Sequence, residues 1–212
     1  IENKQKYKLF HLAVSELEGR IKGGDSLVNI NIKTTILAKE FNFNVRKGSY
    51  LKNKTLGLNL LLVFNKQTKV MRVPEQFIKI DNKPVKLAGT FNFGEKPPPF
   101  NLHLNVDQVM LKEAASWLSP NITVKLNTIT LTKPLDAEAD LVGHMKYLDT
   151  PHVVVSWKTA GNELVTSLGT WEKCSFTGRF NNEVLPGNGH NDENSAVNIF
   201  ALKASLEGGK KI

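Results

Sequence analysis

Apolar and polar residues alternate along most of the chain, most plainly at Leu56, Leu58, Leu60, Leu62 and Phe64 and again at Val85, Leu87, Gly89, Phe91 and Phe93. Successive strand side chains point to opposite faces, so each such run has one apolar and one polar face. The pattern predicts strands at residues 9–14, 27–36, 41–45, 56–64, 69–73, 77–80, 85–93 and 100–106, and a second series at 122–126, 129–131, 135–141, 153–157, 164–168, 174–180 and 197–206. The connectors at 65–68 and 81–84 are short and of turn composition, which implies antiparallel neighbours in a meander. Pro97, Pro98 and Pro99 cannot donate to a ladder and are expected to carry the chain out of the sheet before Phe100.

One segment departs from the two-residue period. After Asp107, the residues Val109, Met110, Ala114, Trp117 and Leu118 recur at helical spacing until Pro120. This predicts one helix over about residues 108–118, with Asp107 as its N-cap and Pro120 closing it. Its apolar stripe needs a partner, and one end of the sheet's apolar face is the simplest, with Trp117 as a packing plug. The expected architecture is therefore mainly β: a long curved antiparallel meander sheet, a groove or half-open sandwich, with one short amphipathic helix over part of its apolar face. At 212 residues and 41% hydrophobic, residues 1–212 read as a single β-rich domain with a real core. The start at Ile1-Glu2-Asn3-Lys4 has no signal-peptide pattern, and the chain reads as part of a longer protein.

The formal charge of +8 is concentrated early, since residues 1–54 hold eleven Lys and Arg against five Asp and Glu. That bias favours anionic partners. The lysines are dispersed on alternating strand positions without a recognition-helix or single-strand-binding pattern, so no nucleic acid is expected. Exposed strand lysines also discourage edge-to-edge aggregation. Cys174 is the only cysteine, which excludes an internal disulfide or a thiolate zinc cluster, and its place in an alternating run makes it a core residue.

Few constellations carry chemistry. Asp136, Glu138 and Asp140 share a strand face, with alternate positions roughly 6.6 Å apart, a spacing within reach of an inverting glycosidase pair or a hard cation. Both uses need a cleft, and the polar side of an amphipathic strand is a solvated face, so these acids are expected to meet water and neighbouring lysines. The polar run at 187–195 lacks the spacing of a calcium loop and reads as a turn with Asx hydrogen bonds. His11, His103, His144, His152 and His190 form no ligand array, and no metal or cofactor is implied. Asn53-Lys54-Thr55 and Asn121-Ile122-Thr123 fit a glycosylation sequon that recurs by chance. Nucleophile elbows and phosphate-binding loops are absent, so the reading is a binding or structural protein, not an enzyme.

From about residue 50 onward the chain resembles the AsmA-like proteins of the Bacteroidetes, relatives of the TamB and repeating-beta-groove lipid-transfer proteins. The resemblance rests on FIKIDNKPVKLAGTFNFGEKPPPFNLHLNV at 77–106, LKEAASWLSP at 111–120, LTKPLDAEADLVG at 131–143, and GTWEKCSFTGRFNNEV at 169–184 followed by NDENS at 191–195. It implies a cell-envelope protein anchored in the inner membrane by an N-terminal helix outside this sequence, projecting a curved sheet into the periplasm. It also implies a part in outer-membrane biogenesis and the carriage of phospholipid along an apolar trough.

Residue pattern and resemblance meet in an apolar face that is not fully covered. Moving one acyl methylene from water onto such a face gains about 0.8 kcal/mol, so a chain of roughly 15 carbons gains on the order of 12 kcal/mol. The expected lining is Leu58, Leu60, Leu62, Leu87, Phe91, Phe93, Leu102, Leu104, Ala139 and Leu141. Two other roles compete with lipid carriage: an assembly scaffold with a closed dry core that binds envelope proteins through its sheet edges, and a glycan-cleaving enzyme using Asp136 and Glu138.

Overall fold

The protein is seen in a computed structural model that describes residues 2–3, 8–42, 48–146, 149–191 and 193–206. Twelve strands form one antiparallel sheet, and eleven of them stand side by side in chain order. They are β1 (Glu2–Asn3), β2 (Lys8–Gly23), β3 (Leu27–Asn42), β4 (Lys54–Asn65), β5 (Val70–Ile80), β6 (Lys83–Asn92) and β7 (Pro99–Val109), then β9 (Leu135–His144), β10 (His152–Thr166), β11 (Gly169–Asn181) and β12 (Ala196–Leu206). The short β8 (Thr130–Leu131) pairs with the far end of β10, in line with β9. Short turns between amphipathic runs leave no choice but the nearest neighbour, which is why the meander is so regular. Among the described residues β1 and β12 do not meet, so the sheet stays open instead of closing into a barrel.

Register places the apolar alternates of successive strands in rows across one face. One row runs Ile30, Leu62, Val73, Gly89, Leu102, Leu141 and Val153 across β3 to β10, and the next runs Ile32, Leu60, Leu87, Leu104, Ala139 and Val155. A parallel row at the strands' other end gathers Leu58, Ile78, Val85, Val106, Ala137 and Trp157. The opposite face of the same strands carries Lys86, His103, Asn105, Asp136, Glu138 and Asp140.

Several strands are longer than the alternation suggests, because bulges shift the parity without ending the strand. The segments expected at 69–73 and 77–80 are one strand, β5, with a register shift between Val73 and Gln76 on its β6 side. On its β4 side, where the ladder lapses, the Gln76 amide stands in for backbone: Leu61 N–H donates to its Oε1 at 2.7 Å, and its Nε2 donates to Leu61 O at 3.0 Å. Likewise 153–157 and 164–166 belong to one strand, β10, which shifts register around Gly161, while Ser167 and Leu168 form the turn to β11. The strand expected at 9–14 continues to Gly23 through a shift beside Glu16, whose φ is 55°. Residues 41–45 split: Phe41 and Asn42 end β3, and 43–45 lie outside the described residues. Pro99 opens β7 opposite His144, so the chain rejoins the sheet one residue before Phe100.

The expected helix over 108–118 needs correction. Asp107 and Gln108 are in β7, and two short helices follow, α1 (Leu111–Ala115) and α2 (Pro120–Leu126). Gln108 is a bulge residue with φ 52°, its N–H held by Asp136 Oδ1 at 2.9 Å. The bulge turns both Val106 and Val109 inward, so their three-residue spacing is that of a kinked strand and not of a helix. Met110, not Asp107, precedes α1, and it makes no side-chain cap. Pro120 begins α2 instead of ending a helix, as its missing N–H and fixed φ allow at a first helical position. Residues 122–126, expected as a strand, are therefore helical, with the Thr123 hydroxyl donating to Ala115 O at 2.8 Å to join the two helices.

These helices, the loop at 48–53 and β8 lie over one end of the apolar face. There the core forms from Ile78, Ile80, Val85, Val106, Val109, Leu131 and Leu135, with Leu51, Leu111, Ala114 and Trp117 packed against it. Loop and helices are tied together by Leu51 N–H donating to Trp117 O at 2.9 Å. Asn162, 1% exposed, bridges the gap between β8 and β9: Lys133 N–H donates to its Oδ1 and its Nδ2 donates to Lys133 O, both at 2.9 Å.

Candidate functional site

All ten residues expected to line a trough lie on or beside one face, and the fold divides them in two. Leu58, Leu60, Leu87 and Leu104 are partly buried and pack against the capped core. Leu62, Phe91, Leu102, Ala139 and Leu141 lie outside that core and remain half-buried, while Phe93, just past the end of β6, is exposed. The same open area includes Ile30, Phe64, Met71, Phe100, Val153 and Val155, which the lining set missed. Alternation in 27–36 and 153–157 was the signal for Ile30, Val153 and Val155, but which strands align is decided by register. Val73 and Gly143 are buried within this area.

Toward the strand ends the open face becomes aromatic. Phe91 stacks on Phe93 at 6.4 Å between ring centroids and on Phe100 at 6.0 Å. Two glycines keep the apolar face low, Gly89 in its open half and Gly178 beside the capped core. Gly89 lies opposite Leu102, and a Cβ there would meet Asn101 O at 2.5 Å and Leu102 Cδ2 at 2.6 Å. Leu102 thus folds flat across Gly89 instead of standing off the sheet. Gly178 is similarly overlain by the indole of its cross-strand partner Trp157.

The polar face keeps the carboxylates apart from any apolar wall. Asp136 accepts from the Gln108 backbone at 2.9 Å and side chain at 3.0 Å, and these bonds, aided by the charge of Lys158, hold its carboxyl below the ordinary range. Asp140 pairs with His103 at 2.8 Å, both well exposed. A shallow depression of about 250 Å³ on this side is lined by Glu75, Lys86, Leu87, Ala88, His103, Asn105 and Asp107, and neither Asp136 nor Glu138 enters it.

The remaining chemical candidates are structural. Cys174 is fully buried with its Sγ 3.3 Å from Trp171 O, and burial pushes its thiol up and away from reactivity. The loop at 187–195 is organised by Asx bonds: Asn194 Nδ2 donates to Leu185 O and Gly189 O, and Asn191 Oδ1 accepts from Glu193 and Asn194 N–H. Asp192 lies outside the described residues. Among the described residues no three His, Cys, Asp or Glu side chains are placed to hold a metal ion. Nor is any described helix long and apolar enough to cross a membrane. No family model, no curated protein and no solved structure matches this chain.

Proposed function

We propose that this chain is a non-catalytic cell-envelope domain of AsmA-like type whose open apolar face shields or passes lipid acyl chains. The observation that carries the reading is that the helices and loop cover only one end of the apolar face, leaving Leu62, Phe91, Leu102 and Leu141 half-buried outside the capped core. Single apolar residues at a surface are ordinary, but a contiguous apolar row across adjacent strands that lies outside the capped core marks an interaction surface. The row from Ile30 to Val153 crosses six strand spacings, about 29 Å. That is close to twice the ~15 Å depth of one leaflet's acyl region, so an acyl chain laid across the strands fits lengthwise. Such a wall matches a bilayer interior without exceeding it, which lets lipid leave as well as enter. The function fits a periplasmic place between two membranes, in a longer protein held at the inner membrane and contributing to outer-membrane biogenesis.

Delipidated protein is expected to take up fluorescent phospholipid, and Leu62→Asp or Leu141→Asp to abolish uptake while circular dichroism stays unchanged. Uptake unaffected by either folded variant would overturn the reading. A scaffold that pairs with envelope proteins is the second reading, and it draws on β12. Val197, Phe200 and Leu202 are at least half exposed there, on a strand whose outer edge is unpaired among the described residues. That role predicts protein capture with no lipid uptake.

A further inference from the structure

The β11–β12 connection folds back onto the β9–β10 connection, and one of its fastenings is a histidine with an acceptor at each ring nitrogen. Asn182 makes the first attachment: Val153 N–H donates to its Oδ1 at 2.7 Å, and its Nδ2 donates to Pro151 O at 3.0 Å. Further along, His190 Nδ1 lies 2.7 Å from Thr150 O, and His190 Nε2 lies 3.3 Å from Glu183 Oε2. A carbonyl oxygen only accepts, so the proton of the neutral ring belongs on Nδ1. Nε2 then turns a lone pair toward a carboxylate. Protonation converts that repulsive contact into a charge-assisted hydrogen bond. The His190 and Glu183 side chains are 27% and 24% exposed, so water screens the contact only in part.

The surrounding groups leave this change to the imidazole. Glu183 Oε1 accepts from Gly187 N–H at 3.1 Å. That bond first, with His190 and His152 adding to it, outweighs desolvation and holds the Glu183 carboxyl below the ordinary range, so it is already ionised wherever imidazole titrates. From β10, His152 stacks on His190 with ring centroids 5.4 Å apart. Its Nε2 lies 2.9 Å from Asn181 Oδ1, an acceptor the neutral ring already satisfies. The β9–β10 connection contributes Lys146 and Asp149, the latter 3.6 Å from His144. Asp140 on β9 is paired with His103 at 2.8 Å, Arg179 stands on β11, and Glu193 lies beyond His190 in its own connection. Of these residue types only histidine ordinarily changes charge between about pH 5 and pH 8.

We propose that His190 is the pin of a pH-dependent clasp: protonated, it fastens residues 183–190 to the β9–β10 connection through Glu183 and Thr150, and neutral, it lets that segment loosen. Lowering the pH adds a bond to a carboxylate that is already charged, so the segment is held more tightly on the acid side. The inference goes beyond the lipid reading and does not depend on what the apolar face binds.

The test is nuclear magnetic resonance of the intact chain between about pH 5 and pH 8. It follows the ring nitrogens of His190 together with the Leu185 methyls and the Gly187 Cα, carbon-bound probes that do not exchange with water. Leu185 and Gly187 are expected to gain mobility as pH rises, along the His190 titration curve. The methyls of Leu168, 87% exposed at the opposite end of the sheet, should not change. Glu183→Gln keeps an acceptor for Gly187 N–H but removes the charge, and its amide can donate to the neutral ring, so the dependence should vanish or invert. His190→Gln should make mobility independent of pH. His152→Phe keeps a stacked ring without a charge, and with His144→Gln it should leave the dependence in place. Circular dichroism checks that each variant keeps its sheet. Equal mobility at both ends of the range in the parent chain, the same dependence in Glu183→Gln, or its loss in His152→Phe would each overturn the proposal.

Discussion

The two ends of the apolar face are written in the same alternating pattern yet have opposite fates. At one end Val109 and Leu135 are 0% and 4% exposed beneath the helices. At the other, Leu102 and Leu141 on the same two strands remain half-buried outside that core, as do Leu62 and Phe91 on β4 and β6. The strands do not account for the difference, since β6, β7 and β9 run through both regions. What differs is the cover: segments 48–53 and 110–131 fold over one end only. Alternation decides which side of a sheet is apolar, and non-strand segments decide whether that side becomes core or binding wall.

The sharpest way to break this comparison is to truncate one leucine at each end. Leu135→Ala should cost about 3 kcal/mol, because it opens a cavity in a packed region. Leu102→Ala should cost about 1 kcal/mol or less, because its methyls already meet water in part. Urea unfolding of the two variants measures both costs. Equal losses would mean that the open end is packed as tightly as the capped one.

The sheet was legible because period-two alternation and short turns each point to neighbouring antiparallel strands, and the structure agrees from β2 to β12. The strand-length errors share a physical cause. Gln108, Gly161 and Glu16 each insert a bulge, which changes parity and made continuous strands look interrupted or helical. Pro120 was read as a stop, although proline suits the first turn of a helix equally well, and Ile122, Val124 and Leu126 alternate like a strand within α2. On the apolar wall the alternating leucines were found, but the division into capped and open halves was not. It depends on where the segment after β7 folds back, a long-range event that local periodicity does not encode.

A smaller effect should come from loosening the cover without touching the core. Asn162 secures β8, and through it the return of the helices, by its bonds to Lys133 and to the Thr159 hydroxyl at 2.8 Å. Asn162→Ala leaves partly buried backbone groups of Lys133 unpaired and should cost about 1 kcal/mol. Hydrogen exchange locates the damage: amides around Leu131 and Lys133 should lose protection while those of Leu61 to Phe64 in β4 keep theirs. Uniform loss across the sheet would mean that the two ends unfold as one unit.

The smallest effect concerns acid at the turn beneath the capped end. Asp81 sits between β5 and β6, its Oδ1 accepting from Thr55 N–H at 2.9 Å and its Oδ2 3.1 Å from Lys54 Nζ. Desolvation raises its pKa, but the Thr55 bond and the Lys54 ammonium outweigh it and hold the carboxyl below the usual 3.8. A carboxyl depressed by folding contributes stability above its unfolded pKa and loses it as pH falls through the folded value. The contribution is therefore intact at neutral pH and disappears only below about pH 3.8. Because the Asp81 side chain is 41% exposed, water screens the pair and the contribution should be about 0.5 kcal/mol. Asp81→Asn keeps the acceptor for Thr55 but loses the charge, so its unfolding midpoint should fall less steeply than the parent's as pH drops below about 3.8. Identical acid limbs for the two proteins would show that the Lys54 pair adds nothing to the capped end, leaving its advantage over the open end to apolar packing alone.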